Sequence, residues 1–255
     1  MASVAWSDYT TQELKAMIER SDPIVIVPVG ATEQHGPHLP VNTDADLGAQ
    51  IATRIAKASP VPALTLPAIW AGFSPHHMAF CGTITLKQET LFAVVYDVLE
   101  SLVAHGVSRI LLLNSHGGNI ALLKTVVDEV GIRLGVSPVY ATYWHLISDL
   151  VPTLRRSELG GMSHAGELET ALKMVFAPDD VRSDAIEDVM IRGNEFHGVD
   201  MFAANRIGIY RPFDTWSETG QIGAPSLATP ETGERLLEAI VEQFVRLIQS
   251  QWGGQ

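Results

Sequence analysis

The strongest constraint on the fold is a pair of short, unbroken apolar runs, each followed by a polar loop and then a helical stretch. Ile24–Val29 is rich in β-branched residues and ends at Gly30. Residues 109–113 read the same way, and a helical pattern over 119–130 follows their loop. Runs this short and continuous describe strands covered on both faces. Residues 63–66 and 137–142 add two further strands. Helices are expected over residues 11–20, 45–58, 88–105, 165–176 and 231–251. In the second of these, Leu47, Ile51 and Ile55 recur every four residues on one face. Thr10 or Thr11 can cap the first helix, and Thr229-Pro230 marks the start of the last. Strand, loop and helix in alternation predict an α/β fold, an open and mostly parallel sheet with helices on both faces. Residues 180–228 break the pattern and are rich in glycine; they read as loops and a flap within one domain spanning 1–255.

Apolar residues make up 46% of the 255, enough for a sizeable core. Lys and Arg number 17 against 29 Asp and Glu, a net charge of −12. That balance excludes the basic stripe of a nucleic-acid binder and disfavours an anionic membrane surface. The apolar runs are far shorter than the roughly 20 residues a bilayer span needs. Residues 1–21 lack a basic run followed by an apolar one, so no secretory leader is expected. Cys81 is the single cysteine, which rules out an intramolecular disulfide and a thiolate zinc site, and points to a reducing cytoplasm.

Three polar clusters carry the possible chemistry. Glu33-Gln34-His35-Gly36-Pro37-His38, then Asp44 and Asp46, follow the first strand. Asn114-Ser115-His116-Gly117-Gly118-Asn119 follows the strand at 109–113, and Ser163-His164-Ala165-Gly166-Glu167-Leu168-Glu169 opens a helix. Loops at the carboxyl ends of parallel strands are where open α/β sheets bind ligands. Imidazoles and carboxylates without thiolates suit zinc, manganese or iron(II). Glu33 and His35 face opposite ways on an extended chain, whereas a turned loop can aim both at one ion or at adjacent ions. A carboxylate such as Asp44 can bridge two ions, or it can simply cap the helix it precedes. Asp46 has an ordinary reading in a first helical turn. His38, His76, His77, His145 and His197 each have ordinary structural readings too, and His77 stands out by its neighbours Pro75 and His76. Glu167 and Glu169 lie about equally far from the apolar face of their helix, so periodicity leaves both open as ligands. No GxSxG elbow, P-loop or HExxH motif is present. The His116-Gly117-Gly118 stretch faintly resembles an oxyanion-hole loop, and Cys81 lacks any supporting nucleophile signature.

The stretch Gly30-Ala31-Thr32-Glu33-Gln34-His35-Gly36-Pro37-His38-Leu39-Pro40, followed by Thr43-Asp44, resembles the signature of the creatininase (creatinine amidohydrolase) family. Asn114 to Asn119 and His164 to Thr170 match its second and third motifs, and Phe80 to Leu86 is similar to another stretch. The matches run in order from about residue 24 to 176. The resemblance implies a three-layer α/β/α fold, a homo-oligomer (a hexamer in creatininase itself) and two divalent metal ions per chain. It makes Glu33, His35, Asp44, His116 and Glu169 the ligands, with Asp44 bridging, and His164 a catalytic histidine. Glu169 is preferred over Glu167 because it precedes Thr170 as the family's acid does. Creatininases carry a catalytic glutamate two places after the motif-two histidine; here that place is Gly118. Glu167 is the candidate to replace it as general base. His77, Trp144, Gly117 and Gly118 are the candidate substrate-binding residues, with Phe213 and Trp216 on the flap. The expected activity is metal-dependent hydrolysis of a small polar molecule at a C–N amide bond. The alternatives are hydrolysis of a C–C bond in an inositol-derived cyclic ketone, and a non-catalytic metabolite-binding oligomer.

Overall fold

Alternation of side chains along the central strands sets the layering. In the computed structural model, which describes residues 3–203 and 205–253, β1 (Ile24–Val29) is buried throughout. Its Ile24 and Ile26 face one apolar cluster, and Val25, Val27 and Val29 face another. The partner strand β3 (Ile110–Asn114) divides likewise, Leu111 and Leu113 against Ile110 and Leu112. With β2 (Ala63–Thr65) and β4 (Val139–Thr142) they form a parallel four-stranded sheet in the order β2-β1-β3-β4.

Helices cover both faces, as the alternating pattern predicts. The first cluster is closed by α2 (Thr43–Ala58), α6 (Glu167–Phe176) and α7 (Pro230–Trp252). The second is closed by α3 (Gln88–Ala104) and α4 (Ile120–Leu134). An N-terminal helix, α1 (Thr11–Ser21), is capped by Thr10 in a reciprocal bond with Glu13. One-turn α5 (Val151–Leu154) carries no periodicity that a sequence could reveal. No helix among the described residues is long and apolar enough to cross a membrane.

The chain leaves β1 through α2 toward β2, then crosses the other face through α3 to β3 on the far side of β1. The connection therefore reverses between β1 and β3, and a crevice opens beyond their carboxyl ends. Register places Val29 opposite Asn114, so the loops that follow these two strands begin side by side.

Three helices have an end that differs from expectation by two residues or more. Helix α2 starts at Thr43, so Asp44 lies inside its first turn and caps nothing. Helix α4 runs through Gly131 to Leu134, because a lone glycine costs only about 1 kcal/mol in a helix. Helix α6 starts at Glu167 because Ala165 adopts a left-handed conformation, φ +53°, and Gly166 is extended. Among the described residues of 180–228 there are only single 3-10 turns and one bridge, Val189 to Gly223, as the aperiodic sequence implies.

Candidate active site

The loop after β1 is fixed by backbone bonding before any ligand is considered. Glu33 N donates to the Val41 carbonyl, and Gln34 N donates to Thr83 Oγ1. Motif-two side chains tie the neighbouring loops to it. Ser115 Oγ donates to the Asp44 carbonyl at 2.7 Å. Asn119 donates to the Gly30 carbonyl and accepts from Phe73 N. Asn114 bridges His116 and Thr142. Gly30 lets α2 pass close by, since a Cβ there would lie 2.7 Å from the Ala45 backbone. Three loops distant in sequence thereby become one rigid rim.

Five side chains of the motifs converge inside it, all almost fully buried. Asp44 Oδ1 lies 3.1 Å from His35 Nε2, and its Oδ2 lies 3.0 Å from His116 Nδ1. Glu33 Oε1 is 3.3 Å from His116 Nδ1. Glu169 Oε2 is 3.8 Å from His35 Nε2 and accepts Ala165 N at 2.6 Å. Asp44 thus presents one oxygen to each imidazole, with Glu169 beside the His35 pair and Glu33 beside the His116 pair.

The ring tautomers follow from the opposite nitrogens. His35 Nδ1 faces the Glu33 carbonyl at 3.1 Å, and His116 Nε2 faces the Phe73 carbonyl at 3.0 Å. A carbonyl can only accept, so those nitrogens carry the hydrogens. In the neutral rings, His35 Nε2 and His116 Nδ1 then turn lone pairs toward carboxylates, an arrangement that asks for a cation between them. Glu33 Oε2 and Asp44 Oδ2 are buried with no hydrogen-bond partner among the described residues. Oxygens left this way cost free energy unless a missing group satisfies them. Combinations of Glu33, His35, Asp44, His76, His77, His116, His164 and Glu169 bring donor atoms close enough together to hold ions.

Electrostatics say the same. Burial works against charge on His35, but Asp44 and Glu169 overcome it and hold its pKa well above the usual range. Burial likewise opposes charge on His116, and Glu33 and Asp44 reverse it. Burial would raise the Asp44 carboxyl; the two imidazoles outweigh it and hold the pKa below the usual range. The site is a concentration of negative charge in want of positive charge.

His164 sits beside this cluster, its ring 4.4 Å from that of His35. Its Nε2 donates to the Gln34 carbonyl at 2.7 Å, leaving Nδ1 toward Glu33 Oε1 at 3.6 Å. Burial, then repulsion from His35, lowers its pKa to about 4, so it is neutral near pH 7. His77 differs in kind. Its Nδ1 accepts from the Gln34 amide at 2.8 Å, so Nε2 carries the hydrogen and points at Glu33 Oε1, 3.3 Å away. His77 orients a carboxylate and shows the cavity only its ring.

Glu167 is not placed to act as the general base expected of it. Its two oxygens accept Arg156 N and Ser157 N at 2.8 Å each, and it lies outside the cavity lining. Two positions along a helix rotate a side chain by about 200°, so Glu169 faces the imidazoles while Glu167 staples a loop. Trp144 and Gly117 line the cavity as expected, and nothing would crowd a Cβ on Gly117. Gly118 is different: a Cβ there would lie 2.1 Å from the Phe73 carbonyl and 2.5 Å from His116 Nε2.

The cavity measures about 610 Å³. The flap reaches it: Phe213 packs 4.0 Å from the His77 ring and 5.0 Å from that of His164, with Trp216 beyond. Gln34 carried no expected role, yet its amide donates to His77 Nδ1 and to the Gly220 carbonyl and lies 3.0 Å from His164 Nε2. Its place between Glu33 and His35 was the available signal. His76, given an ordinary structural reading, has its ring 5.9 Å from and parallel to that of His116 and lines the cavity. Asp200, which anchors the flap by accepting from Gly160 N, Met162 N and Arg155, gave no signal.

The sequence profile described as Creatininase, creatinine amidohydrolase, matches residues 7–248. A mycofactocin precursor peptide peptidase of Mycolicibacterium smegmatis is 30% identical over 236 residues, which are 91% of this chain and 85% of that one. A creatinine amidohydrolase of Pseudomonas putida is 27% identical over 266 residues, 98% of each chain. The solved structure described as "Creatininase Mn" matches with a TM-score of 0.85 at 27% identity, over 98% of this chain and 99% of its own.

Proposed function

The chain belongs to the creatininase (creatinine amidohydrolase) family, and from that premise we propose a divalent-metal-dependent hydrolase that cleaves a C–N amide bond in a small polar substrate, a cyclic amide or a formamide. One observation carries the reading: Asp44 offers its two oxygens to two different imidazoles, each with a second carboxylate beside it. Glu33, Asp44 and His116 would hold one ion, and His35, Asp44 and Glu169 the other. The donors are oxygens and imidazole nitrogens, which suit zinc, manganese or iron(II), and the unpartnered Glu33 and Asp44 oxygens fit such a group. Bound ions would supply a water with its pKa lowered toward about 7 and a polarised substrate carbonyl.

The remaining steps belong to side chains of this chain. His164, neutral and held by its Nε2–H on the Gln34 carbonyl, would take a proton at Nδ1 and pass it to the leaving nitrogen. Trp144 would keep bulk water from the reacting carbonyl, and Phe213 would pack against the bound substrate. Gly118 bears on the substrate. The carboxylate that creatininases place there has no room here beside the Phe73 carbonyl, and Glu169 supplies the one opposite His35. This argues for an amide other than creatinine.

The test pairs elemental analysis of the purified protein with turnover of cyclic amides and formamides. About two ions per chain, with turnover lost on chelation, is the expected result. His164→Ala should keep the ions and lose turnover; full activity in that variant would remove its role. Two ions with no amide hydrolysed would move the assignment to C–C cleavage of a cyclic ketone. No ions after reconstitution would overturn the reading.

We also infer that residues 1–255 act as one domain in a homo-oligomer, a hexamer by the precedent of creatininase. Trp70 and Ile84, exposed and both bonded to Thr32, offer apolar surface for such an assembly. A reducing cytoplasm suits the exposed Cys81.

A further inference from the structure

The catalytic cavity does not end at the flap aromatics. A side chamber of about 240 Å³ adjoins it, and His197, Arg211 and Trp216 line both. The chamber adds Arg192, Asn194 and Thr215, and no carboxylate. In a chain with 17 basic and 29 acidic residues, two arginines facing one small chamber run against composition. Arginine ion pairs among the described residues involve Arg109, Arg133 and Arg155; Arg192 and Arg211 have no such partner. Asn194 Oδ1 accepts from Phe196 N and His197 N, which leaves its amide hydrogens to donate. Trp216 Nε1 is a buried donor with no acceptor among the described residues. Thr215 Oγ1 already donates to the Pro212 carbonyl; the two guanidinium groups, the Asn194 amide and Trp216 Nε1 are donors awaiting an acceptor.

Rings connect it to the reacting centre. Arg211 lies 5.4 Å over the Trp216 ring, which stacks on Phe213, which packs on His77. Stacking on indole restrains the guanidinium while leaving its N–H groups free.

We propose that this chamber is a subsite for an oxyanion, a carboxylate or phosphate borne by the substrate at the end remote from the scissile carbonyl. Arg211 and Arg192 form ion pairs with it, and the plates of Trp216 and Phe213 flank the connecting part of the molecule. The substrate is then an anionic amide. The nature of the bond cleaved rests on the function proposed above; binding of the anion does not.

The experiment is calorimetric titration of the purified full-length protein with N-acetylglycine, inorganic phosphate and uncharged N-acetylglycinamide, before and after chelation. At least one anion should bind about tenfold more tightly than the neutral amide, the worth of a charge-assisted hydrogen bond. R192Q/R211Q should erase that preference, whereas R192K/R211K should keep part of it. The preference should survive chelation, which separates it from anions held by metal ions. The tighter of carboxylate and phosphate identifies the source of the charge. Equal binding of charged and neutral probes, no binding of either anion, or a preference kept in R192Q/R211Q would overturn the subsite. A preference erased in R192Q/R211Q with no amide hydrolysed would keep the subsite and remove the amide reading. Amide hydrolysis with no charge preference would do the reverse.

Discussion

The rim formed by the loops after β1 and β3 and the segment at 190–216 face the same cavity but are built in opposite ways. In the rim, Glu33, His35, Asp44 and His116 are buried, and Ser115, Asn114 and Asn119 bind one loop to the next. The described residues of the 190–216 segment are largely exposed, form no strand or α-helix, and are anchored chiefly through Asp200 and through aromatic contacts of Phe213. The contrast teaches where each requirement is met. Charge clusters must be held to within a fraction of an ångström, which needs a backbone fixed by many bonds. Selection among substrates needs surface that can vary without disturbing that cluster.

Changes in the rim should therefore damage metal content and turnover, and changes in the flap should act on substrate affinity. The largest effect is expected from Asp44→Asn: loss of bound metal and of measurable turnover, read by elemental analysis and assay. An active, fully loaded variant would break the contrast at its centre. Asp200→Ala comes next. It strands Arg155, which bonds to that carboxylate at 2.8 Å, and should lower stability by about 3 kcal/mol. Denaturant titration would measure this, and the ions should remain.

Gly118→Ala should cost about 1–3 kcal/mol by overpacking and weaken metal binding about 10–100-fold by displacing the Phe73 carbonyl that orients His116. Unchanged metal affinity would mean the loop yields freely. Phe213→Ala should raise KM about tenfold with kcat nearly kept, since a buried aromatic contact is worth on the order of 1 kcal/mol. An equal loss in kcat would assign the flap to the chemistry and blur the comparison.

The smallest effect concerns pH. Burial, aided by repulsion from His35, pushes the His38 pKa down to about 4 from an ordinary 6.5. Between those values the unfolded chain binds more protons, so this contribution to stability is complete above pH 6.5 and is lost as pH falls toward 4. His38→Asn should flatten that part of the decline, measured as urea midpoints at pH 7 and pH 5. His38 also bonds to Thr170, so the slope with pH, rather than the midpoint at either value, is the quantity that decides.

The parts legible in the sequence share a physical cause. Ile24–Val29 and its partner strand were readable because strands covered on both faces must be apolar at every position. Helix α6 was readable by its period, but its start was not, since nothing local announces a left-handed Ala165. The motif residues were readable by type and order. Their roles were not: Glu167 and Glu169 stand two places apart with the same chemistry, and only packing turns one to a loop and the other to His35. His77 carries no mark in sequence that separates a ligand from a residue donating to Glu33.

By itself, then, the sequence determined the alternating α/β architecture, the family, and the set of imidazoles and carboxylates available for chemistry. Those are properties of period and residue type, written locally along the chain. Tertiary structure alone decided that Asp44 faces two imidazoles at once, that the place at Gly118 is closed, and that Arg192 and Arg211 meet in one chamber. Each is a relation between segments far apart in the chain, and distances of that kind exist only after the strands have paired and the loops have closed.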